Sequence, residues 1–590
     1  DRPHYGNILL NQNYLPGIRF QYKKILSSKT KILLGPKYAL LSPEYKATRK
    51  LIKINKKKKL QRVIIFFGAS DNKEQTIKCL SILSKLNLKL LKIDIVIGLA
   101  NKKKKLIEEI ITFFVERLKS YLKEDQNLKT EIINVVIDEY LSNLNSHRYC
   151  NILYLAKKIK FLDSYIIIKK AAAKTNTKLK ILDKKLSSAI IKSADEVLSG
   201  KLHDQFVVDV FQMGAGTSFN MNCNEVLANR SNQLLKHKLG MYDPIHPNDH
   251  VNMSQSTNDT FPTAIRLSIL FSLPKLEKEL KLLSNSFQLK SKQFNKILKS
   301  ARTHLQDAVP ITLGQEFNAY SYTVSKCLRD IQYNKKQLFV LGIGGSAAGT
   351  GMNTHPNYSK QMIRELSIET KLPLKQSPDL IESMQSQKDI ASLSSSFRNL
   401  SLELTRISND LRLMSSGPRT GLSEITIPAI APGSSIMPGK VNPSILEMVN
   451  MVCFQVIGSD SGIAFATQAG QLELNVMMPM ISYNILFSIK ILTNSIKQLR
   501  KLCIDGITAN ELICRKYAEQ SIGIATILNK YIGYSQASKI AQQSIHSKKN
   551  IIDIIISENI LTESQLKKIF NTNSLTKPTD SRFIINKNDK

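Results

Sequence analysis

The chain has 590 residues, enough for more than one domain, and its 42% hydrophobic and 22% charged residues are typical of a folded globular protein. Its net charge of +37 arises from 84 basic and 47 acidic residues. Such a charge is common in proteins that bind nucleic acid, but here the lysines are spread along nearly every segment without interleaved aromatic residues. We therefore expect no specific nucleic-acid partner. No signal peptide and no apolar run of transmembrane length are found, so no membrane partner is expected.

Seven cysteines are scattered along the chain, without a C-x-x-C pair and without histidines at metal-ligand spacing. This pattern predicts free thiols in a reducing compartment, which favours a cytoplasmic location. It also predicts that the protein contains no structural zinc site.

The first 110 residues have the pattern of a small α/β domain. A β-rich run at Arg62–Phe67, a helical pattern at Lys73–Leu86 and a second β-rich run at Lys92–Ile97 predict one βαβ unit, with Asp71 as the helix N-cap. The connecting loop contains neither G-x-G-x-x-G nor G-K-[ST], so it does not predict a phosphate-binding loop.

Three strings in this part, DRPHYGNILLNQNY, LLGPKYALLSPEY and RVIIFFGASDNKEQT, resemble the middle of the UDP-sugar hydrolases of pseudaminic acid synthesis. The resemblance implies a Rossmann-like, partial glycosyltransferase-B-like domain over residues 1–110. It fades near residue 110, and neither the catalytic histidine region nor the uridine-nucleotide site of those enzymes is found. We expect no catalysis here, and a helical connector over residues 111–165.

The rest of the chain is dominated by helical patterns. Apolar residues recur at three- and four-residue spacing over 264–299, 312–340, 384–413 and 444–497. Their length and their few glycines predict a mainly α fold, a bundle of long helices.

Residues 433–443, GSSIMPGKVNP, form the most informative stretch of the chain. Prolines and Gly439 predict a loop, because they fix or free the backbone in ways that helices and strands do not use. Lys440 and Asn442 are suited to bind a carboxylate, and the hydroxyl pair Ser434 and Ser435 is suited to contact a carbon acid. A short string of this kind is also common in surface turns, so the whole string carries the argument.

Three further stretches carry hydroxyl or amide groups before a predicted helix: residues 214–218 (GAGTS), 256–259 (STND) and 303–304 (TH). Helix N-termini bind carboxylates well, because their backbone N–H groups and the helix dipole face the anion. Each stretch alone has an ordinary explanation, since STND is a plausible helix cap and His304 a plausible buried histidine. Their combination with the loop favours a site.

These four motifs, with KKAAAK before them, resemble the fumarase/aspartase superfamily and follow its order over about residues 166–570. The resemblance implies a partial N-terminal lyase domain over 166–254, a central helical bundle over 255–513, a small C-terminal helical domain over 514–575 and a polar tail over 576–590. It also implies a homotetramer with sites shared between subunits, a small dicarboxylate substrate, and no metal or redox cofactor. The family's usual N-terminal Tyr-Gly…Gln-Thr…Arg segment is not found.

The resemblance further implies roles for individual residues. Ser434 is the expected general base, and Glu447 is expected to orient the catalytic His304. The expected substrate-binding residues are Thr217, Ser218, Ser256, Thr257, Asn258, Thr303, Ser435, Lys440 and Asn442. An alcohol is a weak acid, so a serine base requires hydrogen-bond donors around its alkoxide in a dry site.

The substrate is less constrained than the reaction class. QSTND and QAGQLELNVMMP resemble the ammonia-lyase branch, which implies reversible elimination of ammonia from L-aspartate to give fumarate. Hydration of fumarate to malate is the alternative. A catalytically inactive fusion that serves as an oligomeric scaffold is an alternative of another class, favoured by the missing N-terminal segment.

Overall fold

The computed structural model describes residues 160–578 except Pro432, Ser435 and Pro438, together with four short strands upstream. The chain divides into two compact units, Asp1–Asn143 and Leu144–Lys590. The expected connector is therefore described only from residue 160 onward.

The first unit contains two pairs of parallel strands. Strand β1 (Ile8–Asn11) pairs with β2 (Lys31–Leu34), and β3 (Arg62–Ile65) pairs with β4 (Lys92–Ile95). Parallel neighbours require a crossover connection, so the β3–β4 pair has the arrangement that the expected βαβ unit needs. Both strands end two residues earlier than expected, and the helix expected over 73–86 lies outside the described residues.

The second unit is mainly helical. Its helices are α1 (Phe161–Lys178), α2 (Lys184–Leu198), α3 (Thr217–Leu234), α4 (Thr257–Gln293), α5 (Leu313–Lys335), α6 (Tyr358–Thr370), α7 (Glu382–Gln385), α8 (Lys388–Met414), α9 (Ser444–Gln468), α10 (Met478–Leu502), α11 (Glu511–Gln520), α12 (Ala525–Ile532), α13 (Tyr534–Ser547), α14 (Ile551–Ser557), α15 (Glu563–Ile569) and α16 (Thr572–Thr576). Its strands are β5 (Leu298–Thr303), β6 (Gln306–Thr312), β7 (Val340–Leu341), β8 (Lys375–Gln376), β9 (Ile425–Thr426) and β10 (Thr508–Ala509).

Five long helices, α4, α5, α8, α9 and α10, pack side by side and form the bundle. Their apolar stripes make one core, in which Leu273, Phe287 and Phe397 are fully buried. Helices α1 and α2, from the expected partial N-terminal lyase domain, contribute residues to the same core. A second, smaller core around Leu528 and Ile555 belongs to the C-terminal helices.

The pattern over 444–497 is not one helix, as expected, but two. Helix α9 ends at Gln468 and α10 begins at Met478. The fully buried Asn475 explains the break: its Nδ2 donates to the carbonyls of Ala466 and Thr467 at 2.9 and 3.1 Å, and its Oδ1 accepts the Met477 N–H at 2.9 Å. One side chain therefore satisfies backbone groups at the end of one helix and at the start of the next.

The pattern over 264–299 also differs from the expected helix. Helix α4 starts seven residues earlier, at Thr257, and ends at Gln293, while residues 298–299 already belong to β5. Thr303 and His304 do not precede a helix directly. They lie at the turn of the antiparallel β5–β6 hairpin, and α5 begins only after Thr312, which caps it together with Gln315.

Helix α9 corrects the expectation that no apolar run has transmembrane length. Its 25 residues are long and apolar enough to cross a membrane by length and composition, with a mean hydropathy of 1.2 in the most apolar window, of which 44% is buried inside the chain. Its buried Asp460 accepts hydrogen bonds from Ser394 at 2.6 Å and Arg398 at 3.3 Å. Such side-chain contacts with α8 are those of a bundle helix.

Candidate active site

The N-terminus of α4 is held by a capping box. Ser256 Oγ accepts the Asn258 N–H at 3.2 Å, and Asp259 Oδ1 accepts the Ser256 N–H at 3.0 Å. Ser256 is therefore the N-cap, and Thr257 and Asn258 form the first turn of the helix. This places three of the predicted binding residues at a helix N-terminus, where an anion is favoured by the dipole.

The turn before α3 lies close to this cap. Gly216 adopts φ +88°, and a Cβ there would lie 2.0 Å from the Phe261 ring of α4, so only glycine fits. The N–H of Ala215 donates to the carbonyl of Val476 at 2.8 Å. Thr217 and Ser218, both half-buried, open α3, and the Thr217 hydroxyl donates to the Gly214 carbonyl at 3.3 Å.

A buried polar network lies between α1, α3 and α4. Lys169, with no exposed surface, donates to Asn252 Oδ1 at 2.9 Å. Asn220 Nδ2 donates to the same oxygen at 3.2 Å and to Thr257 Oγ1 at 3.0 Å. The network thus ends on a predicted substrate-binding hydroxyl.

A glycine-rich loop over residues 342–351 packs against the N-terminus of α4. The sequence analysis did not predict this loop. Asp259 Oδ2 accepts the N–H groups of Gly344 and Ser346 at 3.0 and 3.2 Å, and Asn258 Nδ2 donates to the Ala347 carbonyl at 2.8 Å. A Cβ at Gly344 would lie 2.5 Å from Ser359 Cβ. The available signal was the run GIGGSAAGTG, in which a short stretch carries five glycines.

Asp259 and Lys169 are both ionisable groups in fully buried positions. Burial raises the pKa of Asp259 to about 6, although three backbone N–H groups and Lys169 act in the opposite direction. Burial lowers the pKa of Lys169 to about 7, against the attraction of Cys223 and Asp259. Among the described residues, no group of three or more His, Cys, Asp or Glu side chains is arranged to hold a metal ion.

The β5–β6 hairpin carries Thr303 and His304 at its exposed tip. His304 and Leu305 both adopt positive φ, 56° and 59°. The base of the hairpin is fixed by Glu424, which is fully buried and pairs with Lys299 at 2.9 Å and with Arg302 at 2.7 Å. His304 itself makes no side-chain hydrogen bond or ion pair with any described residue.

The 433–443 loop is closed at its base by its own backbone. The Gly433 N–H donates to the Lys440 carbonyl at 2.7 Å, and Asn442 Nδ2 donates to the Gly433 carbonyl at 2.7 Å. Asn442 thus holds the loop through its amide group, a role that the sequence analysis did not predict. Lys440 is exposed, and Ser435 lies outside the described residues.

Ser434 has a distinctive environment within this loop. Its Oγ accepts two backbone N–H groups, from Ile436 at 3.2 Å and from Met437 at 3.1 Å. Such donors shape the turn, and they also stabilise negative charge on the oxygen. Donors of this kind are what a serine base requires.

Within this chain, Glu447 makes no contact with His304 among the described residues, and their pairing stays a prediction for a site shared between subunits. Glu447 lies in the first turn of α9, and its carboxylate is 3.9 Å from Arg412 at the end of α8. The reason is geometric: the first turn of α9 faces the last turn of α8, while His304 is displaced from both at the tip of a hairpin.

The predicted site residues therefore fall into two groups at the two ends of α4. The first group, which we call the cap end, comprises Thr217, Ser218, Ser256, Thr257 and Asn258. The second, the hairpin end, comprises Thr303, His304, Ser434, Lys440, Asn442 and Glu447. Helix α4 has 37 residues and spans about 55 Å at 1.5 Å per residue. One chain does not bring the two groups together.

Known proteins resemble this chain in both sequence and fold. The family described as Lyase matches residues 132–458, and that described as Fumarase C C-terminus matches residues 524–577. The aspartate ammonia-lyase of Bacillus subtilis is 45% identical over 417 residues, which cover 71% of this chain and 88% of that protein. That of Escherichia coli K12 is 44% identical over 419 residues, with coverage of 71% and 88%.

Solved structures of related enzymes also resemble this chain in fold. A fumarate lyase:delta crystallin from Brucella melitensis superposes with a TM-score of 0.68 at 44% identity, covering 71% of this chain and 93% of that one. A class II fumarase from Schistosoma mansoni has a TM-score of 0.68 at 34% identity, covering 72% and 93%. Fold and relatives together define an enzyme of the carbon–nitrogen lyase class. The chain belongs to the fumarase/aspartase superfamily.

Proposed function

We propose that this protein is an aspartate ammonia-lyase, which reversibly eliminates ammonia from L-aspartate to give fumarate. The observation that carries the proposal is the environment of Ser434. Two backbone N–H groups point at its Oγ in a loop that also presents Lys440. The relatives in Bacillus subtilis and Escherichia coli, both named aspartate ammonia-lyase, support the choice of aspartate over malate.

In the proposed mechanism, Ser434 acts as the general base. Its alkoxide removes a proton from the carbon beside one substrate carboxylate, and the electron pair left on that carbon forms the double bond as the carbon–nitrogen bond breaks. The N–H groups of Ile436 and Met437 stabilise the alkoxide because charge-assisted hydrogen bonds are stronger than neutral ones.

The two carboxylates of the substrate are held by different elements. Thr217, Ser256, Thr257 and Ser435 bind the carboxylate beside the acidified carbon. Thr303, Lys440 and Asn442 bind the other one, and Asn258 and His304 face the leaving ammonia. This division agrees with the chemistry of the two ends, because the N-terminus of α4 attracts an anion and Lys440 supplies a positive charge.

We further propose that the enzyme is a homotetramer in which each site takes residues from several subunits. The separation of the cap end from the hairpin end along α4 supports this, since neither end holds the full set. Helix α9 supports it as well: Met451, Phe454 and Phe465 are 64%, 59% and 68% exposed on one face. Gly458 and Ser461 lie between them. Together these residues recur at alternating spacings of three and four, a pattern found where helices pack against each other.

The same proposal treats the protein as cytoplasmic and independent of metal and redox cofactors. Residues 1–110 take no part in the catalysis, because the sequence strings that resemble a UDP-sugar hydrolase lack that enzyme's nucleotide site. The alternative is an inactive scaffold, and fumarate formation in an activity assay would exclude it.

The test is an ultraviolet assay for fumarate, with L-aspartate and L-malate supplied side by side to the purified full chain. We expect fumarate from aspartate. Fumarate from malate alone would make the protein a fumarate hydratase, and fumarate from neither substrate would favour the scaffold.

A further inference from the structure

Lys169 belongs to the KKAAAK motif, and the mechanism above gives it no role. It lies in the middle of α1, fully buried beneath the N-terminus of α4. Its Nζ donates to Asn252 Oδ1 at 2.9 Å and lies 5.6 Å from the centre of the Tyr165 ring. A buried lysine is costly to desolvate, so its position calls for an explanation beyond packing.

The hydrogen bonds that start at Lys169 have a fixed direction. The Nζ of Lys169 carries N–H donors in both its charged and its neutral form, and it donates to the oxygen of the Asn252 side chain. The Nδ2 of Asn252 then points to the Gln255 carbonyl, at 3.2 Å. Because Asn252 Oδ1 can only accept, the group that Asn220 presents to it must be Nδ2, at 3.2 Å.

Asn220 keeps this orientation at a cost. Its Oδ1 is buried and has no hydrogen-bond partner among the described residues. An unpaired buried oxygen is unfavourable, but the opposite orientation would place it against the oxygen of Asn252. Lys169 therefore determines the orientation of the Asn220 amide as well as that of Asn252. The Nδ2 of Asn220 also donates to Thr257 Oγ1 at 3.0 Å.

This donation determines what the Thr257 hydroxyl can do. Its oxygen accepts from Asn220, so its hydrogen is directed elsewhere, and no described residue accepts it. Thr257 is the first residue of α4, where the backbone N–H groups also favour an anion. Because the Thr257 oxygen already accepts a hydrogen bond, its O–H can donate to a carboxylate bound at this helix N-terminus.

We propose that Lys169 is a positioning residue which, through Asn252 and Asn220, sets the Thr257 hydroxyl as a donor to a substrate carboxylate. The inference rests on the proposed function for the chemical class of the ligand, a small dicarboxylate. Lys169 acts without touching the substrate. Burial lowers the pKa of Lys169 to about 7, and the nitrogen keeps N–H donors on either side of that value.

The test compares Lys169→Met, which removes the donor, with Lys169→Gln, which restores a neutral donor. Lys290→Met is the matched control, because Lys290 is also buried on the bundle, at the far end of α4, where it donates to the Ile507 carbonyl at 2.7 Å. The measurements are kcat and KM for L-aspartate, the dissociation constant of succinate by calorimetry, and thermal melting of each variant.

We expect Lys169→Met to raise KM and the succinate dissociation constant about tenfold to hundredfold, with a smaller change in kcat. Lys169→Gln should recover most of this loss, and Lys290→Met should change neither constant. In a Thr257→Val background, Lys169→Met should add no further loss, because both changes remove the same hydrogen bond. If Lys169→Met does not fold, Asn220→Leu interrupts the same chain and should raise both constants.

Unchanged constants in a folded Lys169→Met or Asn220→Leu variant would overturn the inference. So would equal losses in Lys290→Met, or full additivity with Thr257→Val. Failure of the proposed function gives a different result: a wild type that forms fumarate from malate only, or from neither substrate. The succinate comparison then still tests whether Lys169 prepares the Thr257 hydroxyl.

Discussion

The two ends of α4 differ in how completely one chain builds them. At the cap end, Asp259 and Thr257 are buried, and Asn258 is tied to the glycine-rich loop. At the hairpin end, His304 and Lys440 are exposed and have no side-chain hydrogen bond with a described residue. Under the proposed function, the cap end positions the groups for one carboxylate within a single chain, whereas the groups of the hairpin end are exposed and would complete a site with another subunit.

The largest effect is expected at the hairpin end, from Ser434→Ala. Loss of a general base lowers kcat by about 10²–10⁴-fold or more. The melting temperature should barely change, since the loop keeps its Gly433–Lys440 backbone bond. Ser188→Ala is the control and should retain activity, because Ser188 is exposed on α2 and its hydroxyl only donates to the Lys184 carbonyl at 2.7 Å. Near-normal turnover in a folded Ser434→Ala enzyme would identify another residue as the base.

Glu424→Gln tests what holds the hairpin. Glu424 neutralises both Lys299 and Arg302 in a buried position, so removing its charge should lower the free energy of unfolding by about 3–5 kcal/mol. Chemical denaturation measures this loss. Glu403→Gln, which removes an exposed partner of Arg406, should cost less than about 1 kcal/mol. Equal losses in the two variants would show that the hairpin does not depend on the buried pair.

Asp259→Asn tests the cap end in the same way. The amide presents N–H donors where the carboxylate accepted three backbone N–H groups, so we expect a loss of about 1–3 kcal/mol in unfolding free energy. Because Asn258 and the glycine-rich loop would lose their common anchor, KM for aspartate should rise as well. An unchanged KM would mean that the loop does not support the binding residues.

The last of these predictions concerns the pH dependence of stability and Lys169. Its folded pKa, about 7, is below the ordinary value of 10.5, so its contribution to stability is fully present above pH 10.5 and is lost as the pH falls through 7. The stability of the wild type relative to Lys169→Met should therefore rise between pH 7 and pH 10.5. Denaturation curves at several pH values measure this difference, and a flat difference would contradict the depressed pKa.

Helical periodicity and motif order were enough to predict the bundle and the family. They could not predict the break between α9 and α10, because it depends on one buried amide, Asn475, which binds the carbonyls at the end of α9 and an N–H at the start of α10. They also placed Thr303 before a helix instead of on a hairpin. Local patterns do not report a side chain that satisfies backbone groups several residues away.

The candidate site was predicted in its residue types but not in its arrangement. Ser256 and Thr257 stood out as hydroxyls before a helix. The link from Asp259 to Gly344 spans 85 residues, and Lys169 reaches Asn252 across 83, so neither contact leaves a periodic signal in the sequence. The separation of the two ends follows from the length of α4, which became measurable only once its caps were located.

The most direct test of a shared site is complementation between two inactive variants, one changed at each end. Ser434→Ala and Asn258→Ala proteins are mixed, gently dissociated and reassembled, and fumarate formation from L-aspartate is followed. If each site combines a cap end with the hairpin ends of other subunits, some sites in mixed tetramers contain only intact residues, and partial activity returns. Mixed tetramers that form but stay inactive would show that the site is not shared between subunits.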